Sequence, residues 1–287
     1  MAVLLGIVAA NVRPLPQQYA EGVAFAGRRI LRVGIALLGM QLSVRAVADI
    51  GVGALLAVVA VVVCTIVGTL AIARLLGLSE DFGILMGVGY GICGASAIAA
   101  AKSQTRASRE EVSYAVALVA LCGTLSIVLL PALGAFLDDA AFGRWAGAAV
   151  HDVGQVVATA STRSELALQA AIAVKLVRVA LLAPVVLALS LRARRSGLHA
   201  DGTRPPVLPA FVVAFLVFAA LNSTGLVPSA AVGVAVSASK LLMAMGLAAL
   251  GLQVHWNDLR RVGGRPLLLG LLAWALVASV ALLVVAR

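Results

Sequence analysis

The residues with the most evident chemistry are His151, Asp152 and Gln155, which lie within an otherwise apolar stretch of the chain. His151 and Asp152 are at the midpoint of the segment Phe142–Thr162. An ionisable side chain deep in a membrane is costly and commonly functional, and histidine changes charge between about pH 5 and 8. The pair is therefore predicted to exchange a proton or hold a cation, the alternative being a structural ion pair with a neighbouring helix. Gln155 follows about one helical turn after His151 and is predicted to face the same cavity.

Three cationic side chains also lie within apolar segments. Lys175 and Arg178 are three residues apart and share a helical face, and Lys240 lies near the middle of Ser229–Val254. All three are predicted to be buried, against the single deeply placed carboxylate of Asp152. This excess of cations predicts a binding site for a small anion. The alternative is that Lys175 and Arg178 neutralise Asp152.

A glycine-rich motif occupies the short segment Phe82–Lys102, which contains five glycines. Glycine allows a helix to unwind, and irregular backbone at membrane depth is tolerated only where it faces protein or a water-filled cavity. The free N–H groups at the start of a half-helix attract anions. We therefore predict a broken helix that binds a ligand, with close helix packing as the alternative. The residues predicted to line the site are Gly91, Cys93, Gly94 and Ser96.

The elements that position these residues are apolar helices. The chain has 287 residues, of which 62% are hydrophobic and 12% charged, and its mean hydropathy is +1.09. A soluble domain is about 45–50% apolar and about 25% charged, so soluble enzymes and disordered chains are excluded. The composition predicts an all-α fold, a polytopic bundle of about nine to ten transmembrane helices with one or two short or broken helices. The whole chain, 1–287, is predicted to form one domain.

An internal repeat supports this organisation. The octapeptide GIALLGMQ at 34–41 matches GLAALGLQ at 246–253 in five of eight positions. The repeat-related segments are 22–51 and 234–263. They belong to the second and ninth predicted segments, so the chain makes seven crossings after the first of them, up to and including the second. An odd number of crossings makes the two segments run in opposite directions, which is the inverted topology of many secondary transporters.

The net charge of +10 is predicted to set the orientation in the membrane rather than to bind nucleic acid. Counting cations in alternate loops assigns twelve to the side of residues 192–195 and six to the other side. The positive-inside rule then places the first side in the cytoplasm. This count puts Arg144 in the cytoplasm and Lys102, Arg106 and Arg109 outside. No cofactor or metal is expected. The expected partners are a small anion and the lipid bilayer, and a homo-oligomer is left open.

Four segments carry a resemblance to a known family: residues 31–43, 89–100, 150–160 and 174–184. In these segments the sequence resembles the YeiH-type (UPF0324) membrane proteins, a group often labelled sulfate exporters. The resemblance covers nearly the whole chain and implies a multi-pass protein of the bacterial inner membrane, of the inverted-repeat transporter type. Relatives usually carry a further apolar segment before the equivalent of Met1–Val12, which implies that the first helix is truncated here.

Together these features predict a secondary active transporter that exports a small anion, with sulfate or a sulfonate as the best candidate. The anion is expected at broken helices near the bilayer midplane, with His151 and Asp152 coupling its movement to a proton or cation. A cation–proton antiporter, which would need a second embedded carboxylate, and an anion channel are the alternatives. An enzyme is not expected, because adjacent residues on a helix point about 100° apart and His151 and Asp152 would make a poor catalytic pair.

Overall fold

The computed structural model describes residues 2–12, 16–41, 51–195, 210–252 and 264–285, and every regular element in these ranges is helical. The helices are α1 (Ala2–Val12), α2 (Ala20–Phe25), α3 (Leu31–Leu38), α4 (Val52–Leu75), α5 (Glu80–Gly91), α6 (Ala95–Ala101), α7 (Arg109–Leu133), α8 (Asp139–Ala149), α9 (Val153–Ala160), α10 (Glu165–Ala180), α11 (Leu182–Arg195), α12 (Ala210–Ser223), α13 (Ser229–Gly251) and α14 (Gly264–Val285). A π-helical segment, Ala26–Ile30, joins α2 to α3, and short 3-10 segments occupy Gln17–Tyr19, Gly39–Gln41 and Lys102–Gln104.

The protein is a polytopic helical membrane protein, as predicted. A bilayer core needs about 20 apolar residues in a helix. The candidate spans within the described residues are Val52–Leu75, Arg109–Leu133, Glu165–Arg195, Ser229–Ala249 and Gly264–Val285. Their number is lower than the nine to ten helices predicted. One reason is that both short segments, 82–102 and 142–162, fold as hairpins instead of crossing.

The first short segment forms a hairpin at its own end of the bundle, here called hairpin 1 (residues 80–101). Glu80, at the start of α5, pairs with Arg74 and Arg192 at 3.1 Å each. The helix then runs inward along α4, so that a Cβ built on Gly91 would lie 3.5 Å from the carbonyl oxygen of Val62. Because Val62 is near the middle of α4, hairpin 1 reaches about half the membrane depth.

The chain reverses at Gly94, whose φ of +73° favours glycine. The returning helix α6 packs against α5, since a Cβ on Gly89 would lie 2.9 Å from the Ile98 side chain. Ser79, just before hairpin 1, donates a 2.5 Å hydrogen bond to Glu111 on the first turn of α7. Hairpin 1 therefore enters and leaves at the same end of the bundle.

The second short segment forms hairpin 2 (residues 139–160), which enters from the opposite end. Its entry and exit are held together by Arg163, which donates to the carbonyl oxygens of Gly134 at 2.5 Å and Leu137 at 3.2 Å. The same guanidinium lies 3.7 Å from the carboxylate of Asp139. Helix α7 begins beside hairpin 1 and ends at the entry of hairpin 2, where Arg163 holds Gly134. Because α7 spans the membrane, the two hairpins enter from opposite faces.

Each hairpin is followed by a long helix, and the two units have opposite orientations. Hairpin 1 precedes α7, and hairpin 2 precedes α10 and α11. Pro184 lacks the N–H that would bond the carbonyl of Ala180, which accounts for the break between α10 and α11. We call α4, the hairpins, α7, α10 and α14 the hairpin core, and α1, α3, α12 and α13 the panel, because the members of each set pack mainly on one another.

The predicted repeat-related segments lie in the panel. Helices α3 and α13 pack side by side: Ser239 donates to the carbonyl oxygen of Gly34 at 2.7 Å, and a Cβ on Gly246 would meet Leu31. Leu31 lies beside Gly246, and Gly34, later on α3, lies beside Ser239, earlier on α13. The two helices are therefore antiparallel, as an inverted repeat requires. Residues 42–50 and 253–263 of the predicted repeat lie outside the described residues.

The re-entrant hairpins change the predicted loop assignment. Among described residues, one end of the bundle carries Arg29, Arg32, Arg74, Lys102, Arg106, Arg109, Arg192, Arg194, Arg195 and Arg265, and the other carries Arg144 and Arg163. The prediction that Lys102, Arg106 and Arg109 are outside and Arg144 inside is wrong, because neither short segment crosses. The positive-inside rule now places the first end in the cytoplasm with a larger margin. We call it the cytoplasmic end, and its opposite the outer end.

Cysteine labelling tests this topology. In a Cys64→Ala background, an impermeant thiol reagent should reach Arg106→Cys only from the cytoplasmic face and Ser161→Cys only from the outer face, because each hairpin returns to its own end. Both positions are exposed, and the remaining cysteines are buried. If both short segments crossed the membrane, the two engineered cysteines would be labelled from the same face, which would contradict the hairpins.

Candidate functional site

The tips of the two hairpins meet at mid-depth in the hairpin core. The tips are residues 92–94 of hairpin 1 and 150–152 of hairpin 2. The rings of Tyr90 and His151 have centroids 4.5 Å apart in an edge-to-face arrangement. A Cβ on Gly94 would lie 3.6 Å from the Cβ of His151. The two interruptions that the sequence placed far apart therefore form one structural centre.

Lys175 of α10 joins the two tips. Its Nζ donates to the carbonyl oxygen of Ile92 at 2.7 Å, to that of Val150 at 3.0 Å, and to that of His151. These three bonds match the three N–H groups of an ammonium, and the side chain is buried. Lys175 is thus a cationic link between hairpin 1 and hairpin 2.

Arg178, about one turn further along α10, caps the inner ends of α5 and α8. Its Nε donates to Gly91 O at 2.9 Å and its Nη2 to Tyr90 O at 2.6 Å, both on hairpin 1. Its Nη1 donates to Gly147 O at 3.1 Å and Val150 O at 2.9 Å on hairpin 2. A helix C-terminus leaves such carbonyls unpaired and carries partial negative charge. The planar fork of a guanidinium is suited to satisfying several of them at once.

The sequence alone suggested two roles for Lys175 and Arg178, as anion ligands or as partners of Asp152. In the structure their N–H groups donate instead to carbonyl oxygens at the ends of the half-helices. Among the described residues, neither side chain forms an ion pair with Asp152. Both side chains are buried, as predicted. In this conformation they supply fixed positive charge beside the tips, and direct contact with a substrate stays a prediction.

A cavity of about 490 Å³ borders the tips, between the panel and the hairpin core. We call it the central cavity. Its polar or irregular lining comes from both hairpins, α7 and the panel, and comprises Gly94, Thr124, Asp152, Gly154, Gln155 and Lys240. The remaining lining is mostly apolar. Its volume is within the range of small-molecule sites, about 300–1,000 Å³.

Asp152 and Gln155 form a capping box at the start of α9. The Asp152 carboxylate accepts a 2.8 Å hydrogen bond from the N–H of Gly154, and Gln155 Oε1 accepts a 3.2 Å bond from the N–H of Asp152. Gln155 Nε2 donates to Ala120 O at 3.3 Å, which ties hairpin 2 to α7. A Cβ on Gly123 would lie 2.6 Å from Gln155 Cδ, so glycine permits this close approach. Both Asp152 and Gln155 also line the central cavity.

The other predicted site residues divide between the cavity and the packing behind it. Gly94 lines the central cavity. Gly91 packs on α4. Cys93 is buried and bonded to Ser96, whose Oγ lies 3.0 Å from Cys93 Sγ and 2.9 Å from Cys93 O. His151 is fully buried against Tyr90. None of these four buried or packed residues, Gly91, Cys93, Ser96 and His151, is among the described residues that line the cavity.

Lys240 departs from the prediction in its burial. It was predicted to be buried, but it is exposed and faces the central cavity from the panel. The reason is that α13 is a peripheral helix with few buried positions. Thr124 is a polar cavity residue that sequence reasoning missed. A single threonine in an apolar helix carries no pattern that marks it, and only the packing of hairpin 2 against α7 reveals it.

Comparison with known proteins places the chain in a family. The family model described as "Conserved hypothetical protein 698" matches residues 1–270. The UPF0324 membrane protein Cgl0015/cg0018 of Corynebacterium glutamicum is 37% identical over 98% of this chain and 83% of its own length. The UPF0324 membrane protein TauZ of Paracoccus denitrificans is 40% identical over 92% of this chain and 80% of its own length.

The UPF0324 inner membrane protein YeiH of Escherichia coli is 34% identical over 97% of this chain and 83% of its own length. No solved structure matches. These relatives are named as membrane proteins, in agreement with the apolar helices that can cross a bilayer. The chain therefore belongs to the UPF0324 family and is a multi-pass protein of the bacterial inner membrane.

Proposed function

We propose that this protein is a secondary active transporter that exports a small oxyanion, with sulfate or a sulfonate as the expected substrate. The observation that carries the proposal is the meeting of two hairpins, from opposite faces, beside the central cavity of about 490 Å³. Secondary transporters commonly hold their substrates near the midplane, where discontinuous helices from inverted repeats meet. The panel and the hairpin core are the two bodies whose relative movement would alternate access to the cavity.

The charge around the tips favours an anion. Lys175 and Arg178 contribute two full positive charges, whereas the two helix C-termini that they cap carry only about half a negative charge each. The N-terminus of α9 adds partial positive charge at the cavity. Lys240 and Asp152 both line the cavity and carry opposite charges. The region therefore has an excess of positive charge, the reverse of what a cation antiporter needs.

We assign Asp152 to coupling, because it is the carboxylate among the described residues that line the central cavity. A proton or cation bound at Asp152 would offset its negative charge and weaken its acceptance of the Gly154 N–H, so both the cavity charge and the start of α9 would change with occupancy. His151 is buried behind the tip against Tyr90. In this proposal His151 positions hairpin 1 against hairpin 2, and its backbone carbonyl anchors Lys175.

Anion-dependent thermal stabilisation of the purified protein tests the proposal. Sulfate or methanesulfonate, each added as its choline salt, should raise the unfolding temperature, because a ligand at 100 times its Kd stabilises by about 2.7 kcal/mol. Lys240→Gln should weaken the apparent affinity about ten-fold or more, since a hydrogen bond to a charged group contributes about 1.5–3 kcal/mol. Arg195→Gln at the cytoplasmic end is the control for net charge. If the unfolding temperature rose with the sodium or potassium concentration and did not depend on which anion was present, the result would instead favour the cation antiporter.

A further inference from the structure

A second cavity, of about 290 Å³, lies at the cytoplasmic end of the boundary between the panel and the hairpin core. We call it the cytoplasmic vestibule. Its lining brings together three cationic side chains from separate elements: Arg32 of α3, Lys102 directly after hairpin 1, and Arg109 at the start of α7. The hydroxyl groups of Ser103 and Ser113 complete its polar surface.

The charge of the vestibule is strongly positive. Lys102 Nζ donates to the carbonyl oxygen of Ala107, which uses one of its three N–H groups. The guanidinium of Arg32 lies over the ring of Phe211, 5.7 Å from its centroid. Its position over the ring fixes the cation without neutralising it.

The carboxylates at the start of α7 do not cancel this charge. Glu111 accepts hydrogen bonds from Ser79 Oγ at 2.5 Å and from Ser108 N at 2.8 Å, so its oxygens are engaged outside the cavity. Glu110 interacts electrostatically with Arg109 and Lys102 but is exposed and does not line the vestibule. Three cations therefore face the cavity and no carboxylate among the described residues does.

The vestibule lies directly in line with the central cavity. On hairpin 1 the vestibule is lined by Ala99 and the central cavity by Ala95, and on α7 the corresponding residues are Val116 and Val119. A separation of three or four residues along a helix is about 5 Å. A thin apolar layer thus divides a cytoplasmic cationic cavity from the midplane cavity.

We propose that the cytoplasmic vestibule is a second binding site, for a tetrahedral oxyanion, from which the anion is loaded into the central cavity during export. Guanidinium and ammonium groups bind such oxyanions through charge-assisted hydrogen bonds. The binding itself stands on the vestibule alone, whereas the loading role rests on the proposed function. A lipid phosphate presents the same chemistry, so the experiment separates free anion from lipid headgroup.

The test uses Ser103→Cys, an exposed position in the vestibule, in a Cys64→Ala background. The full chain is placed in nanodiscs of phosphatidylcholine, and the thiol is titrated with a sulfonate-bearing and a trimethylammonium-bearing methanethiosulfonate. The anionic reagent should react about ten-fold faster, relative to its rate with free cysteine, because the local potential attracts it. Arg32→Gln combined with Arg109→Gln should abolish this preference, and Arg195→Gln should leave it unchanged.

Protection then identifies the ligand. Slowing of the reaction by millimolar sodium sulfate in the neutral nanodiscs supports a site for free oxyanion. Slowing only when phosphatidylglycerol is present assigns the site to a lipid headgroup and overturns the loading role. Absence of both charge preference and protection overturns the proposal.

A transport measurement tests the loading role separately. In oriented proteoliposomes, Arg109→Gln should raise the half-saturating sulfate concentration on the cytoplasmic face about ten-fold and leave the outer face unchanged. Equal effects on both faces would contradict loading at the vestibule. If even the parent protein moves no anion, the proposed function fails, while the labelling result still decides whether the vestibule binds an oxyanion.

Discussion

Arg178→Ala is expected to cause the largest loss of stability of any single substitution considered for this protein. The change leaves carbonyl oxygens of Tyr90, Gly91, Gly147 and Val150 without the donor that now satisfies them. An unsatisfied buried polar group costs about 1–3 kcal/mol, so a total loss of at least about 3 kcal/mol is expected. The unfolding temperature in detergent should fall by several degrees, and anion binding should be lost with it.

Two further variants make this result specific. Arg178→Lys keeps the charge but cannot reach both half-helix ends at once, so its stability should be intermediate. Arg195→Ala removes an exposed arginine from the next helix, α11, and should leave the unfolding temperature within about a degree of the parent. If Arg178→Ala unfolded at the parental temperature, Arg178 would not be what holds the tips together.

Thr124→Trp is expected to abolish anion exchange while the protein stays folded. Thr124 lines the central cavity from α7 and is only partly buried, so an indole there would fill the space between α7 and the panel. Exchange of labelled sulfate should fall at least ten-fold, while size-exclusion chromatography and the unfolding temperature should show an intact protein.

The matched control is Leu129→Trp on the same helix. Five residues turn an α-helix by about 140°, and Leu129 is exposed and is not among the described residues lining the central cavity. This variant should exchange anions at the parental rate. If both tryptophan variants lost exchange equally, or if neither lost it, the result would contradict the central cavity as the transport path.

The glycine-rich motif allowed the interruption of hairpin 1 to be predicted, because Gly94 adopts a positive φ that other residues rarely take. The interruption of hairpin 2 was not predicted, although its signal was present. Asp152 followed three residues later by Gln155 is the pattern of a capping box, which marks a helix start. Because the surrounding sequence is apolar, hydropathy does not separate a break at Asp152 from a continuous span.

Hydropathy could not decide whether the short segments cross or return. A segment of about 20 apolar residues satisfies either arrangement, and the difference lies in contacts between residues distant in sequence. Ser79 with Glu111, and Arg163 with Gly134, show that each hairpin begins and ends on one side. The error in loop orientation followed from this ambiguity alone.

The cationic character of the site was predicted, but the partners of the cations were not. Composition shows that Lys175 and Arg178 need neutralisation or a ligand in an apolar segment. It does not show that two half-helices end beside them with unpaired carbonyls. Lys240 was placed at the right depth, yet its burial depended on how much of α13 the rest of the bundle covers, which the sequence of α13 does not encode.

The central claim is most directly tested by counterflow of labelled sulfate in proteoliposomes. Vesicles loaded with unlabelled sulfate are diluted into a trace of labelled sulfate, with and without a pH gradient. The proposed transporter should accumulate label transiently above its equilibrium level, and Thr124→Trp should not. Label that only equilibrates would indicate a channel. Folded protein that exchanges neither sulfate nor methanesulfonate under any gradient would contradict the assignment of this protein as an oxyanion transporter.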